Sequence, residues 1–430
     1  MELGSWWFSR MSWPIVGLLE VASITAKLVD PRDSLYADVP LVAPDHVESE
    51  TGRILAFQSA QAQEAISGKY LVEATDVIYS KIRPYLMKVA IPGRPVLCSA
   101  DMYPLHCGEK ILPDYLKQVL LGNPFTQFAI ACSNRTGIPK VNREELAQFR
   151  FRLPDLETQR NISSKANIWD DAIATANALH LELERRKQGL MQQLLTGRRR
   201  LKGFKGKWKP ISLGTILERV TRKNTTGCLV PLTVSAQRGL VEQSSYFAKQ
   251  IAAADNDHYL LLKRGEFAYN RSASAGYPLG AIKRLDSFDE GIVSTLCLCF
   301  RIADDEKTDS DFLVGLIEAG VLNRALRAIA HEGARSHGLL NVTAADFFNI
   351  RVNLPNIDEQ CAMAEVLRDM DAELALRKSQ LDELKTQKRA LMQKLLSGEW
   401  RLPESPAQSK PLRKKGLQPS NSMRKQLSKK

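Results

Sequence analysis

Several things are missing from this chain, and each absence narrows what it does. No stretch reaches the roughly 18–20 uncharged apolar residues that cross a bilayer. Arg10 and Glu20 interrupt the Trp-rich start, which lacks the order of charge, apolar core and cleavage site of a secretory signal. The seven cysteines are scattered, odd in number and never spaced Cys-x-x-Cys, which points to a reduced cytoplasmic compartment. No Gly-x-x-x-x-Gly-Lys-Ser/Thr loop is present to cradle a nucleotide phosphate. No Pro-Pro dipeptide occurs, which excludes the Asp/Asn-Pro-Pro-Tyr/Phe motif that holds the target amino group in adenine methyltransferases. His331-Glu332 lacks the second histidine of a zinc-binding His-Glu-x-x-His. Cys98, His106 and Cys107 lack a sensibly spaced fourth ligand and read as buried thiols. Glu383-Leu384-Lys385 has half of a nuclease Glu-x-Lys motif, but it lies on a charged helix surface. These absences predict a chain with no catalytic residues and no metal of its own.

The net charge is +12, with 44% hydrophobic and 25% charged residues, the composition of an ordinary soluble globular protein. Its distribution says more. Residues 198–209 carry seven bases and no acid, residues 403–430 carry a net +7, and the remainder sums to −2. The second run is Ser/Pro/Lys-rich without apolar periodicity and reads as a basic disordered tail. The first has Phe204 and Trp208 interleaved, a composition open to phosphate contact or to a plain solvated linker.

What is present is a duplication. Leu153-Pro154-Asp155-Leu156-Glu157-Thr158-Gln159 is matched by Leu354-Pro355-Asn356-Ile357-Asp358-Glu359-Gln360. Leu190-Met191-Gln192-Gln193-Leu194-Leu195-Thr196-Gly197 is matched by Leu391-Met392-Gln393-Lys394-Leu395-Leu396-Ser397-Gly398, at the same offset of 201. Sixteen of the 49 positions from Leu153 to Leu201 are identical in the second copy, where composition alone would give about three.

Each copy reads as one long helix. Asp155 and Thr158, and Asn356 and Glu359, have N-cap and N3 spacing, the second pair as a capping box, and Gly197 and Gly398 are stops. Between them runs a coiled-coil seam: Ile162, Ala166, Trp169, Ile173, Ala176, His180, Leu183, Lys187, Leu190 and Leu194, then Met363, Leu367, Met370, Leu374, Arg377, Leu381, Leu384, Lys388, Leu391 and Leu395. From Ile162 to Leu194 such a helix would be roughly 50 Å long at 1.5 Å per residue. Neither helix hides its seam alone, so antiparallel packing with a module at each end is expected. The polar seam residues read as register control or snorkelling stems.

Each helix follows a mixed α+β module. Leu71–Tyr79 and Lys88–Ile91 have strand character, and Ile111–Leu121 helical spacing; Gly265–Tyr269 and Ile292–Phe300 read as strands and Asp311–Ala330 as helix. The modules start alike at Trp13-Pro14-Ile15 and Trp208-Lys209-Pro210-Ile211, and Gly137 matches Gly338, but their middles do not align. The expected domains are a module over 11–152, a helix over 153–200, a basic linker over 201–210, a second module over 211–353, a second helix over 354–402 and the tail 403–430.

These phrases resemble the conserved helices of type I restriction-modification specificity subunits. The paired Lys-x-x-Leu-Met-Gln-x-Leu-Leu-Thr/Ser-Gly endings, beginning at Lys187 and Lys388, are the specific part. The module starts and the strand phrases Asp76–Pro84 and Glu266–Arg271 are similar to that family as well, and the resemblance runs from about residue 11 to 403. Residues 1–10 precede the pattern, which makes Met11 an alternative start.

The resemblance implies a prokaryotic, non-catalytic reader of double-stranded DNA. Its two α+β target-recognition domains would each read half of a split site, with the helices as ruler and as docking surface for two methyltransferase subunits. S-adenosylmethionine would serve those partners, and ATP and Mg the restriction subunits that join them. A drifted fused methyltransferase or nuclease, and a coiled-coil protein adaptor, are the rival readings.

Major-groove reading favours Arg on guanine and Asn or Gln on adenine. The candidate DNA contacts are Lys81, Arg83, Asn134 and Arg135 in the first module, and Asn270, Arg271, Ser274, Arg335 and His337 in the second.

Overall fold

The computed structural model describes residues 13–24, 27–133, 138–225, 227–246, 258–274, 276–332, 338 and 340–402. Met11, Asn134, Arg135, Gly137, Arg335, His337 and the tail from 403 lie outside them. Two compact units are formed, residues 1–175 with 381–430, and residues 176–380. The division cuts through both repeated helices, the central one (Leu156–Leu194, 39 residues) and the distal one (Ile357–Ser397, 41 residues). Module and helix are separate in sequence, but each unit takes half of each helix.

In the first unit Ala22–Ser23, Met102–Cys107, Val77–Ser80 and Val89–Ala90 form a four-stranded sheet in that order. A second sheet orders Leu28–Val29, Lys69–Val72, Val96–Cys98, Pro40–Val42 and Gln58–Ser59, with one parallel pair. Ile15–Gly17 pairs with Arg150–Arg152 and brings the start of the module back to its end. Tyr79 and Phe125 meet edge to face at 5.1 Å. The core around them takes in Ile162 and Ala166 from the central helix and Met392 and Leu395 from the distal one.

The second unit repeats the frame with other residues. Leu217–Arg219, Leu298–Ile302, Phe267–Asn270 and Ala281–Arg284 form the equivalent four-stranded sheet, and Lys209–Ser212 closes on Arg351–Leu354. Phe267 stacks on Phe300 at 5.2 Å, in a core that takes in Met191, Leu194, Met363 and Leu367 from the two helices and Leu195 from the turn after the first. In place of the five-stranded sheet stand two hairpin-like pairs, Leu232–Ser235 with Gly239–Glu242 and Leu260–Lys263 with Glu290–Val293. The middles that fail to align in sequence are therefore also built differently.

Within each unit the helix halves run antiparallel. Lys388 Nζ donates to Asp170 (2.6 Å) in the first unit and Lys187 pairs with Asp371 in the second. Asp170 and Asp371, like Lys187 and Lys388, are repeat equivalents at offset 201, so the same bridge is made twice with the helices exchanging roles. All twenty seam positions are buried or half-buried. Gly197 and Gly398 end the helices at φ 71° and 74°, and a Cβ on them would sit 3.4 Å from Trp208 and 3.2 Å from Trp13. Each module thus starts with a tryptophan lying on the glycine that ends a repeated helix.

The Leu-Pro-x-x-x-x-Gln phrase has a specific mechanical role. Gln159 is fully buried; its Nε2 donates to the carbonyls of Lys110 (2.9 Å) and Pro154 (2.8 Å), and its Oε1 accepts the Leu112 amide (2.9 Å). Gln360 does the same with the Lys307 and Pro355 carbonyls (3.2 and 3.1 Å) and the Asp309 amide (3.1 Å). In each unit the side-chain amide latches the start of a long helix to the loop before a module helix.

Some local expectations are corrected. Leu71–Tyr79 is two strands, because Asp76 turns the chain by accepting the Glu73 amide (3.0 Å). Ile292–Phe300 breaks at a turn in which the Cys297 amide donates to the Ser294 carbonyl (3.0 Å). Asp311–Ala330 is two helices, Ser310–Glu318 and Asn323–Ile329, separated at Gly320. Asn356 caps the distal helix by accepting the Glu359 amide (3.3 Å), but the Glu359 carboxylate is taken by Arg200 and does not complete a capping box.

Replacing Gln159 with Leu would strand one amide and two carbonyls in a buried site. Gln159→Leu is expected to lower the unfolding free energy by about 2–4 kcal/mol, read as a lower urea midpoint. Gln188→Leu, exposed on the same helix, should stay within about 0.5 kcal/mol of the parent.

Candidate nucleic-acid interface

In both units the candidate residues start where a central strand leaves the sheet. After Val77–Ser80 the Lys81 amide donates to the Asp101 carbonyl (3.0 Å), and the Lys81 carbonyl accepts the Val141 amide (2.9 Å). Ile82 bridges Lys140, and the Arg83 amide donates to the Pro139 carbonyl (2.8 Å). Residues 81–83 therefore lie beside 139–141, which follow the candidates Asn134 and Arg135 closely in sequence. Lys81 is half-buried, its Nζ 5.3 Å from the Tyr103 ring centroid, within cation–π range. Arg83 is exposed in a left-handed conformation (φ 49°, ψ 59°), which turns the chain sharply into Pro84–Leu86 and sets an exposed Tyr85 beside it.

The second unit builds the same junction. After Phe267–Asn270 the Arg271 carbonyl accepts the Leu340 amide (2.9 Å), and the Ala273 amide donates to the Gly338 carbonyl (2.7 Å). Asn270 is half-buried and its Oδ1 accepts the Ser272 amide (3.1 Å). Ser274 is exposed in a turn with Tyr277, each amide donating to the other's carbonyl (3.1 and 2.9 Å). Residues 271–273 thus lie beside Gly338 and Leu340, which follow the candidates Arg335 and His337 closely in sequence.

Arg271 needs a correction. Its Nε and Nη2 donate to the Leu296 carbonyl (3.1 and 2.8 Å) and its Nη1 to the Val342 carbonyl (2.8 Å). A guanidinium committed to three backbone hydrogen bonds holds two loops in place and does not present a free fork to a base edge. Tyr85, Lys140 and Arg143, which the sequence reading did not single out, also lie at the first junction. The Arg143 guanidinium lies 5.9 Å from the same Tyr103 ring as Lys81. The Pro84-Tyr85 step after an arginine was a readable sign of an exposed aromatic. The approach of Lys81 and Arg143 to one Tyr103 ring was not readable, because it depends on a contact across some sixty residues of chain.

Among the described residues no group of three His, Cys, Asp or Glu side chains gathers to hold a metal. His106 Nδ1 pairs with Asp76 (2.9 Å), and Cys98 is buried, its thiol pushed up to about 12 by desolvation. No helix among those residues is long and apolar enough to cross a membrane.

The family model described as type I restriction modification DNA specificity domain matches residues 13–185. The specificity subunit of the type I restriction enzyme EcoDI of Escherichia coli is 37% identical over 151 residues, 35% of this chain and 33% of that protein. The match therefore spans about a third of that relative's length. The MjaVIII specificity subunit of Methanocaldococcus jannaschii is 25% identical over 332 residues, 72% of this chain and 76% of that protein. A chain from the structure describing complex assembly and conformational transition of the type I R-M system shares the fold. It has a TM-score of 0.58 at 18% identity, with 91% of this chain and 99% of that chain covered.

The Arg271 network gives a test of the second junction. Arg271→Met keeps the stem and removes three hydrogen bonds from a charged donor. It is expected to cost about 2 kcal/mol and to speed hydrogen exchange in peptides covering residues 294–297 and 340–343. Unchanged exchange there would refute the holding role.

Proposed function

We propose that this chain is a type I restriction-modification specificity subunit, a reading supported by the matching DNA specificity domain over residues 13–185, and that it is the sequence reader of a DNA-modifying complex and carries no catalytic residues itself. Each unit reads one half of a bipartite, asymmetric site in double-stranded DNA. Phosphate contacts set position, and side chains delivered to base edges set sequence. The readers are sought at the junctions around Lys81 and Arg83 with Asn134 and Arg135, and around Asn270 and Ser274 with Arg335 and His337, with Arg271 as the positioning residue of the second. The repeated helices give two methyltransferase subunits equivalent surfaces and fix the number of unread base pairs between half-sites. Those partners bind S-adenosylmethionine and methylate adenine, and restriction subunits bring ATP and Mg.

One observation carries this reading. The same sheet, strand closure and glutamine latch occur twice, while the residues at the equivalent junctions differ, Lys81-Ile82-Arg83 in one unit and Arg271-Ser272-Ala273 in the other. A shared frame with unlike contents suits two readers of unlike sequences better than it suits an enzyme or a symmetric adaptor.

The purified chain with S-adenosylmethionine and DNA is expected to transfer no methyl group until the cognate methyltransferase subunit is added. Full methylation with a catalytically inactivated partner would overturn this assignment. Exchanging residues 13–152 for the matching module of a relative should change one half of the methylated motif in a genome-wide methylation map and leave the other half intact. A change in both halves would mean that recognition belongs to a composite surface.

A further inference from the structure

The positive charge of this protein is concentrated in two places. Residues 198–209 carry seven cations and no acid, the tail from 403 carries another net +7, and all remaining residues sum to −2. The first of these stretches has a defined construction. Arg200 grips both carboxylate oxygens of Glu359, which is 1% exposed, through Nε and Nη2, and its Nη1 donates to the Gly206 carbonyl (2.7 Å). The same guanidinium lies 5.7 Å from the Trp208 ring centroid. Leu201 and Trp208 pack against the core of the second unit, and the Arg199 amide donates back to the Gln193 carbonyl (3.0 Å).

One arginine thus pins the loop at its middle, and the side chains around it anchor its ends. The other six cations, Arg198, Arg199, Lys202, Lys205, Lys207 and Lys209, are all exposed. Among the described residues Arg200 alone of the seven has an acidic partner. A flexible linker would let six like charges spread apart; this one is held so that they stay together. Such an arrangement is relieved by a dense line of negative charge, and duplex DNA carries one phosphate charge per about 1.7 Å of axis.

We propose that the loop 198–209 is a phosphate-backbone binding surface that supplies sequence-independent DNA affinity, separate from the junctions that read bases. It rests on the reading of the chain as a DNA-binding subunit. An acidic face of a protein partner is the competing occupant. DNA is favoured because the cations flank Phe204 and glycines, with no continuous apolar face for a protein to cover, and because outside this loop and the tail from 403 the chain sums to −2 and has no net positive charge with which to attract a polyanion.

The test uses the full-length chain with Arg198→Gln, Arg199→Gln, Lys202→Gln, Lys205→Gln, Lys207→Gln and Lys209→Gln combined, and Arg200 kept. The probe is a fluorescein-labelled duplex of arbitrary sequence, about 40 base pairs long, titrated by anisotropy across a series of KCl concentrations. At roughly 0.9 per phosphate contact, the slope of log K against log [KCl] should flatten by about 5 in the variant. Lys202→Gln with Lys205→Gln and Lys207→Gln should flatten it by about half as much, and this triple variant decides the matter if the sixfold variant does not fold. An unchanged slope in a folded variant overturns the proposal, as does an unchanged slope accompanied by lost binding to the methyltransferase subunit. The salt slope needs no knowledge of the target sequence. It therefore decides the loop independently of methylation mapping, which tests the sequence-reading role.

Discussion

A helix of about forty residues with an apolar stripe along its length has to find cover for that stripe, and most of this structure follows from the way cover is found. Each repeated helix is divided between the two units, and each half meets both the other helix and the core of a module. Ile162, Ala166, Met392 and Leu395 complete one core, and Leu194, Leu195, Met363 and Leu367 the other. A buried leucine or isoleucine contributes about 1.5–3 kcal/mol, so the four or so scaffold residues in each core are comparable with the whole net stability of a domain. The modules are not ornaments on a preformed rod. Scaffold and module fold as one, which fixes the junctions near Lys81 and Asn270 to the helices that position them.

Apolar burial alone is indifferent to sliding by a heptad. The polar groups are not. Gln159 and Gln360 each bond two carbonyls and an amide, and Lys187 with Asp371 and Lys388 with Asp170 meet at only one axial alignment. The Lys388–Asp170 pair is largely buried and the Lys187–Asp371 pair has an exposed carboxylate; buried or screened, such pairs add little net stability, and a role in selecting one alignment is the best-attested use of the buried kind. Their occurrence twice, with donor and acceptor exchanged between the helices, means that one set of residues specifies both units.

The legible part of this fold was the local and periodic part. The helix stripe, the Asp155 and Asn356 caps, the glycine stops and the match of Trp13 with Trp208 all depend on residues a few positions apart or on direct repetition. The illegible part was competitive. Leu71–Tyr79 looks like one strand until Asp76 turns the chain, and Glu359 looks like a capping residue until Arg200, 159 positions away, claims its carboxylate. Arg271 has the composition of a base reader, and only the approach of the Leu296 and Val342 carbonyls shows that its donors are engaged.

The sequence by itself determined that there are two copies of one frame, a long helix after each, and a net positive charge confined to two short stretches. Periodicity and repetition encode those features residue by residue, without reference to distant neighbours. Tertiary structure alone decided that each unit borrows half of both helices, that Gln159 and Gln360 are latches, that Lys187 and Lys388 find each other's repeat-equivalent aspartates, and that Arg200 alone of the loop's seven cations has an acidic partner among the described residues. Each of these is a choice among several available partners for a hydrogen bond or a charge. The choice goes to whichever partner the packed chain brings within about 3 Å, a distance that no linear pattern contains.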